Sequence, residues 1–262
     1  MRISGRLAAI ALILASIPAL AADAPLLLAT LEFPPYISDT GQGAQGLAVS
    51  IVKAVFTRIG TPVRIVFYPI TRGQSLVLSG DVDGFFSIKK TPEREQGMLF
   101  PQEALFRQDF VFFVRKNSSW HFDGNLDSIA AARIGVVGKT SYGERFDSAV
   151  KAGRFRLLDT AVSHEMNFRK LLAGRVDAVI CSRLVGLYFL RILNAADAVN
   201  ISGPTVDTTS SYLAFTRKKD FTQLARRFDQ ALDDMEHDGT LERLSTVYQS
   251  AQRLAEPGGK GH

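Results

Sequence analysis

Leu76-Val77-Leu78-Ser79-Gly80-Asp81-Val82-Asp83 and, in the second half of the chain, Leu172-Ala173-Gly174-Arg175-Val176-Asp177 read as one device used twice. In each, a helical stretch ends at glycine, one residue turns, and Val-Asp opens a buried strand. The order around the two copies also matches. Val63, Ile65 and Phe67 alternate as a strand before a helix from about Arg72 to Ser79 and a strand over Val82–Phe86. Phe155–Leu158 plays the same part before a helix over Ser163–Ala173 and a strand over Val176–Ile180. This repetition points to two similar α/β lobes.

Outward from the two copies the alternation continues. Leu26–Leu31 is an apolar run ending in Phe33-Pro34-Pro35-Tyr36, whose prolines exclude helix and central strand. Ala48, Ile51, Val52, Val55 and Ile59 recur at helical spacing until Gly60 and Pro62 stop them. Ile134–Val137 predicts a strand, Tyr142–Ala152 a helix closed by Gly153, and 184–193 another helix. Phe110–Val114 and Tyr212–Phe215 flank the second unit as crossover strands, and a helical tail from Phe221 to Gln249, broken at Gly239, returns to the first lobe. Strands alternating with helices imply parallel sheets covered on both faces.

Composition limits the function. The 262 residues are 46% apolar and 22% charged, an ordinary balance for a globular protein with a sizeable core. A net charge of +5 without a long basic run gives no footing to a nucleic-acid binder. The single cysteine, Cys181, excludes an internal disulfide and a multi-cysteine metal cluster. His121, His164, His237 and His262 lack ligand-like spacing, so neither metal nor cofactor is expected. Residues 1–21 carry Arg2 and Arg6, an Ala/Leu/Ile run over Leu7–Ile17, and Ala19-Leu20-Ala21, the pattern of a cleaved signal peptide. That run is shorter than the roughly 20 residues of a membrane span.

Three catalytic motifs appear and fail. Gly41-Gln42-Gly43-Ala44-Gln45-Gly46 is a literal GxGxxG, but it follows a Pro-Pro segment and no acid occurs from 47 to 80 to hold a ribose. Gly138-Lys139-Thr140 has Arg133 where a phosphate loop needs its first glycine; its strand–turn–helix setting still offers backbone N–H groups to an anion, or simple capping by Thr140 or Ser141. Ser87-Ile88-Lys89-Lys90 matches SxxK without the SDN and KTG partners.

The ordered set Phe33-Pro34-Pro35-Tyr36, Gly46-Leu47, Gly80-x-Val82-Asp83-Gly84, Thr91-Pro92-Glu93-Arg94, Gly138-Lys139-Thr140-Ser141-Tyr142, Gly174-Arg175-Val176-Asp177 and Asp238-Gly239-Thr240 through Tyr248 resembles the family 3 solute-binding proteins. These are periplasmic receptors of ABC importers for polar amino acids and similar solutes. The resemblance implies two α/β lobes joined by two crossing strands, closing over a ligand. With it, lobe 1 is expected over 22–108 and 214–252, lobe 2 over 109–213, and a flexible tail over 253–262.

The same resemblance assigns roles. Arg94 would grip a ligand carboxylate, Ser87 would bond the ligand from the same loop, and Phe33 with Tyr36 would wall it. Thr140, with Ser141 beside it, would meet the carboxylate from lobe 2, and Arg72 would face the cleft. Two positions depart from the amino-acid binders. Lys89 replaces a small polar residue, and Ser182 stands where those binders place the aspartate that holds the α-ammonium. The implied protein is a periplasmic monomer without cofactor, delivering a small polar or anionic solute to an inner-membrane ABC permease. An enzyme resembling the cyclohexadienyl or arogenate dehydratases, or a solute-sensing module of a membrane receptor, stands as the alternative.

Overall fold

The computed structural model describes residues 24–254, with the exception of Lys139. The expected signal peptide and all but the first two residues of the expected tail lie outside the described residues. Among those described, no helix is long and apolar enough to cross a membrane.

Eleven strands are described: β1 (Leu26–Thr30), β2 (Ser38–Asp39), β3 (Ala44–Gln45), β4 (Val63–Phe67), β5 (Gly84–Ile88), β6 (Met98–Leu99), β7 (Phe106–Arg115), β8 (Arg133–Val137), β9 (Leu157–Ala161), β10 (Ala178–Ser182) and β11 (Val199–Thr216). The helices are α1 (Leu47–Arg58), α2 (Ile70–Ser79), α3 (Pro92–Gly97), α4 (Glu144–Lys151), α5 (His164–Leu172), α6 (Arg183–Ile192), α7 (Thr222–His237) and α8 (Thr240–Leu254). Nine strands form one sheet in the order β4-β1-β5-β11-β7-β10-β8-β9, with β6 on β11. β4, β1 and β5 are mutually parallel, as are β10, β8 and β9. Between these two parallel triplets run β11 and β7, antiparallel to each other from Val199↔Arg115 to Ser211↔Phe106. Each triplet with its helices is a lobe, and the β7–β11 ribbon is the crossing.

The two glycine turns do what their sequence predicts. Gly80 has φ 87° and its N–H closes on Leu76 and Val77 carbonyls; Gly174 has φ 70° and bonds Leu171. Such positive φ values cost a Cβ-bearing residue and suit glycine. Several boundaries shift by two residues or so: β9 and β10 begin two residues later than expected, and the helix expected over Tyr142–Ala152 begins at Glu144. The strand expected at Val82–Phe86 begins at Gly84, because the Asp83 carboxylate accepts from the Leu27 N–H (2.8 Å) and from Lys219 Nζ (2.7 Å) and so ties the turn to β1 and the chain after β11. The crossover runs lengthen to ten and eighteen residues, β11 continuing through Pro204 with an irregularity between Ser202 and Asp207.

Phenylalanines fill both cores. Phe56, Phe86, Phe215 and Phe228 are buried in lobe 1, with α7 laid on α1 by the Phe56–Phe228 contact at 5.8 Å. Phe112 collects Phe122 and Phe146 edge-on in lobe 2. Each such ring contributes about 1.5–3 kcal/mol by leaving water.

Candidate functional site

Four loops meet where the lobes face each other, and each follows the carboxyl end of a strand: those after β1, β5, β8 and β10. Ligands of open α/β sheets collect at such ends. The loop after β1 is shaped by a cis Pro34–Pro35 peptide and by mutual backbone bonds of Phe33 and Ile37 (both 3.0 Å). It aims Tyr36 into an aromatic stack, 5.4 Å from Phe33 and 4.6 Å from Phe106 on β7. Gly46 makes this possible. Its φ is 116°, and a Cβ there would lie 2.2 Å from the Tyr36 carbonyl oxygen.

Tyr36 crosses to lobe 2, its hydroxyl 3.4 Å from Ser182 Oγ at the end of β10. Burial holds its phenol up at about 12, and the Ser182 bond opposes that shift. The native form is therefore the neutral phenol. Its stabilising share is whole below the unfolded value near 10 and is lost as pH climbs towards 12. Tyr36→Phe should thus lose less stability than the parent when urea unfolding is repeated at about pH 9 and about pH 11.5. Equal losses would show that Tyr36 is not the group titrating.

The end of β5, the loop after it and α3 carry three of the expected residues. Ser87 adopts φ 68°, and its hydroxyl is buried without a hydrogen-bond partner among the described residues. Lys89 Nζ reaches lobe 2 and donates to Ser141 Oγ at 2.6 Å. Arg94 lies half-buried in the first turn of α3, where Thr91 caps its N–H and its own Nη1 donates to the Lys89 carbonyl (2.8 Å). Burial lowers the pKa of both Lys89 and Arg94; for Lys89, Asp147 and Asp207 oppose the effect.

The loop after β8 was read either as offering N–H groups to an anion or as capped by Thr140 or Ser141. The structure shows the chain itself taking several of these groups, with Ser141 Oγ accepting from the Gly143 N–H (3.5 Å). Asp147 accepts from the Tyr142 N–H (3.0 Å), Asp207 of β11 accepts from the Arg145 N–H (2.9 Å), and the Thr140 N–H bonds Val137 (3.3 Å). The carboxylate at the α4 N-terminus is thus the protein's own, favourably placed on the helix dipole.

Beside these loops lies a cavity of about 560 Å³, floored by β11 from Asp207 to Tyr212 and walled by Lys89, Lys90 and Thr91 on one side and by Ser141 and α4 on the other. That is ample for a small solute. Phe33, Tyr36, Ser87, Arg94, Thr140 and Ser182 lie outside its lining, as does Arg72, which is exposed on the first turn of α2. The structure therefore brings together Lys89 with Ser141 and Tyr36 with Ser182, keeps Arg94 in contact with Lys89, and leaves Arg72 apart. Asp147, Asp207 and Phe106 are neighbours that the sequence analysis did not place in the site, because nothing local in the sequence marks them. No cluster of three or more His, Cys, Asp or Glu suited to a metal occurs among the described residues.

The profile of the bacterial extracellular solute-binding proteins, family 3, matches residues 27–251. The chain belongs to that family. Among curated relatives, the histidine-binding periplasmic protein of Escherichia coli K12 is 23% identical over 221 residues, 82% of this chain and 84% of the relative. Among solved structures, the probable amino-acid ABC transporter extracellular-binding protein of Bacillus subtilis superposes with TM-score 0.71 at 18% identity, covering 86% of this chain and 97% of that one. A histidine kinase sensor domain similar to periplasmic binding proteins gives TM-score 0.65 at 18% identity, covering 86% and 95%. At these identities the structures establish the shared periplasmic-binding-protein-like α/β fold, which importer receptors and sensor domains both use.

Proposed function

We propose that this family 3 protein is an exported, periplasmic receptor that binds one small carboxylate-bearing polar solute between its lobes, closes about the β7–β11 hinge, and hands the solute to an inner-membrane ABC permease. The observation that carries the reading is Arg94. It is a half-buried guanidinium with one donor tied to the Lys89 carbonyl and no carboxylate partner among the described residues. Of its five N–H donors the remaining four suit a planar carboxylate, which a guanidinium grips with two parallel bonds. Phe33, Tyr36, Ser87, Thr140 and Ser182 would complete the site around it, with Lys89 and Ser141 across the cleft; Arg72 would act from outside, by its charge. Relatives named for histidine binding and for amino-acid import support the transport role.

A thermal-shift screen of amino acids, keto acids and dicarboxylates tests the reading. A ligand at 100 times its Kd adds about 2.7 kcal/mol, and a screen without any shift from a carboxylate would reject it. Incubation with prephenate, followed for an aromatic product, separates binding from dehydratase chemistry. Export is tested on its own. N-terminal sequencing of the periplasmic form should begin near Ala22, because Ala19-Leu20-Ala21 is the cleavage pattern; a form that still reads Met1 would remove the signal-peptide assignment.

A further inference from the structure

Lys89, Ser141 and Asp147 form one hydrogen-bonded line across the mouth of the cleft. Lys89 Nζ, on the loop after β5, donates to Ser141 Oγ at 2.6 Å. Ser141 Oγ–H donates in turn to Asp147 Oδ2 at 2.5 Å, while the other oxygen of that carboxylate accepts from the Tyr142 N–H at 3.0 Å. The line therefore begins at a cation in lobe 1 and ends at a fixed anion in lobe 2, with a hydroxyl oriented between them. Charge-assisted bonds of this kind are shorter and stronger than neutral ones, and here they are made where Lys89 is partly withdrawn from water. On another pair of loops, the Tyr36 hydroxyl meets Ser182 Oγ at 3.4 Å, its ring already held against Phe106 of the hinge ribbon. The two contacts join lobe 1 to lobe 2 through independent elements, and both are made entirely by the protein.

We propose that Lys89 is a latch: the Lys89–Ser141–Asp147 line, seconded by Tyr36–Ser182, holds the two lobes together without any ligand. A receptor whose cleft is bridged only by its ligand rests open and closes on binding. A receptor with its own bridge rests largely closed, and solute enters through a minor open population. Its apparent affinity then gains from a closure already made, because the competent state need not be drawn from a rare one. The association rate falls in exchange, since the door is shut most of the time. Lys89, which also walls the cavity, would thereby set how fast the cleft loads.

The test needs no ligand, so its outcome is separate from the identity of the solute. Spin labels on Ser75→Cys in α2 and Met166→Cys in α5, both exposed positions outside the cavity lining, report the separation of the lobes. Cys181 is fully buried and its thiol is pushed up by burial, so labelling falls on the introduced cysteines. The doubly labelled parent should give one dominant short distance. Lys89→Met should raise the open-to-closed ratio about tenfold, equivalent to about 1.4 kcal/mol. Ser141→Ala should do the same without removing the charge, and carries the test if Lys89→Met fails to fold. Lys116→Met, a lysine outside the cavity lining, should change nothing and controls for loss of positive charge. Distance distributions of Lys89→Met and Ser141→Ala that superimpose on the parent would overturn the latch. So would a parent population that is already mostly open.

Discussion

Arg94→Ala should abolish solute binding and leave the protein folded. The lost contact is a forked, charged one in a partly desolvated place, and removing it should cost at least ~2–3 kcal/mol, or roughly 30- to 150-fold in Kd. Little of the fold depends on the side chain. The Thr91 cap is made to the Arg94 backbone N–H and survives the change; only the Nη1 bond to the Lys89 carbonyl is lost. Calorimetry with the best carboxylate from the thermal-shift screen, paired with an unfolding curve, reads both halves. Arg94→Lys should recover only part of the affinity, since an ammonium cannot fork. Unchanged affinity in Arg94→Ala would take this residue out of the site.

The second large effect concerns what the ligand must lack. Deaminated analogues, such as hydroxy and keto acids, should bind at least as tightly as the corresponding α-amino acids. A buried ammonium without a carboxylate partner costs several kcal/mol in desolvation, and a hydroxyl recovers only part of that. Position 182 offers a hydroxyl, and Tyr36 already bonds it. Asp207 is spent on the Arg145 N–H and, through its other oxygen, on the Thr208 N–H. Asp147 is spent on Ser141 and Tyr142. Paired titrations decide the matter. If amino acids bind tenfold tighter, about 1.4 kcal/mol, the ammonium is matched elsewhere. Asp109, exposed on β7 and close enough for its charge to act on Tyr36, then becomes the group to mutate.

The lobes and their order were legible because the cues are local. Glycines 80 and 174 end helices by the conformation only glycine adopts cheaply, and alternating apolar residues mark the buried strands beside them. What stayed hidden is set by distant partners. Nothing near Lys89 in sequence says that its ammonium meets Ser141, 52 residues on. Nothing near Ser182 says that Tyr36 arrives from 146 residues away. After Gly138 the strand–turn–helix left anion binding and self-capping both open, and the partners that decide it, Asp147 and the hinge residue Asp207, are not marked by the local sequence. Short elements were missed for a different reason: α3 has six residues and β2, β3 and β6 two each, too few for periodicity to register.

The path of the chain through the sheet bears on how the molecule is put together. Strands β8, β9 and β10 all lie in sequence between the two crossing strands, so lobe 2 is one unbroken stretch. Lobe 1 is not. Its β1, β4 and β5 come early, while α7 and α8, which cover α1, come last: Phe228 closes on Phe56, Asp238 pairs with Arg58 at 2.6 Å, and the Tyr248 hydroxyl bonds the Pro35 carbonyl. During vectorial synthesis or export, lobe 2 can complete its contacts as soon as β11 emerges, whereas the loop bearing Tyr36 waits for the final helix. Chains cut short before α7 would keep a finished lobe 2 and present the bare apolar face of α1, a surface for chaperones and proteases to recognise. Helices α7 and α8, remote from the cleft in sequence, are in this sense a quality seal on the aromatic wall of the binding site.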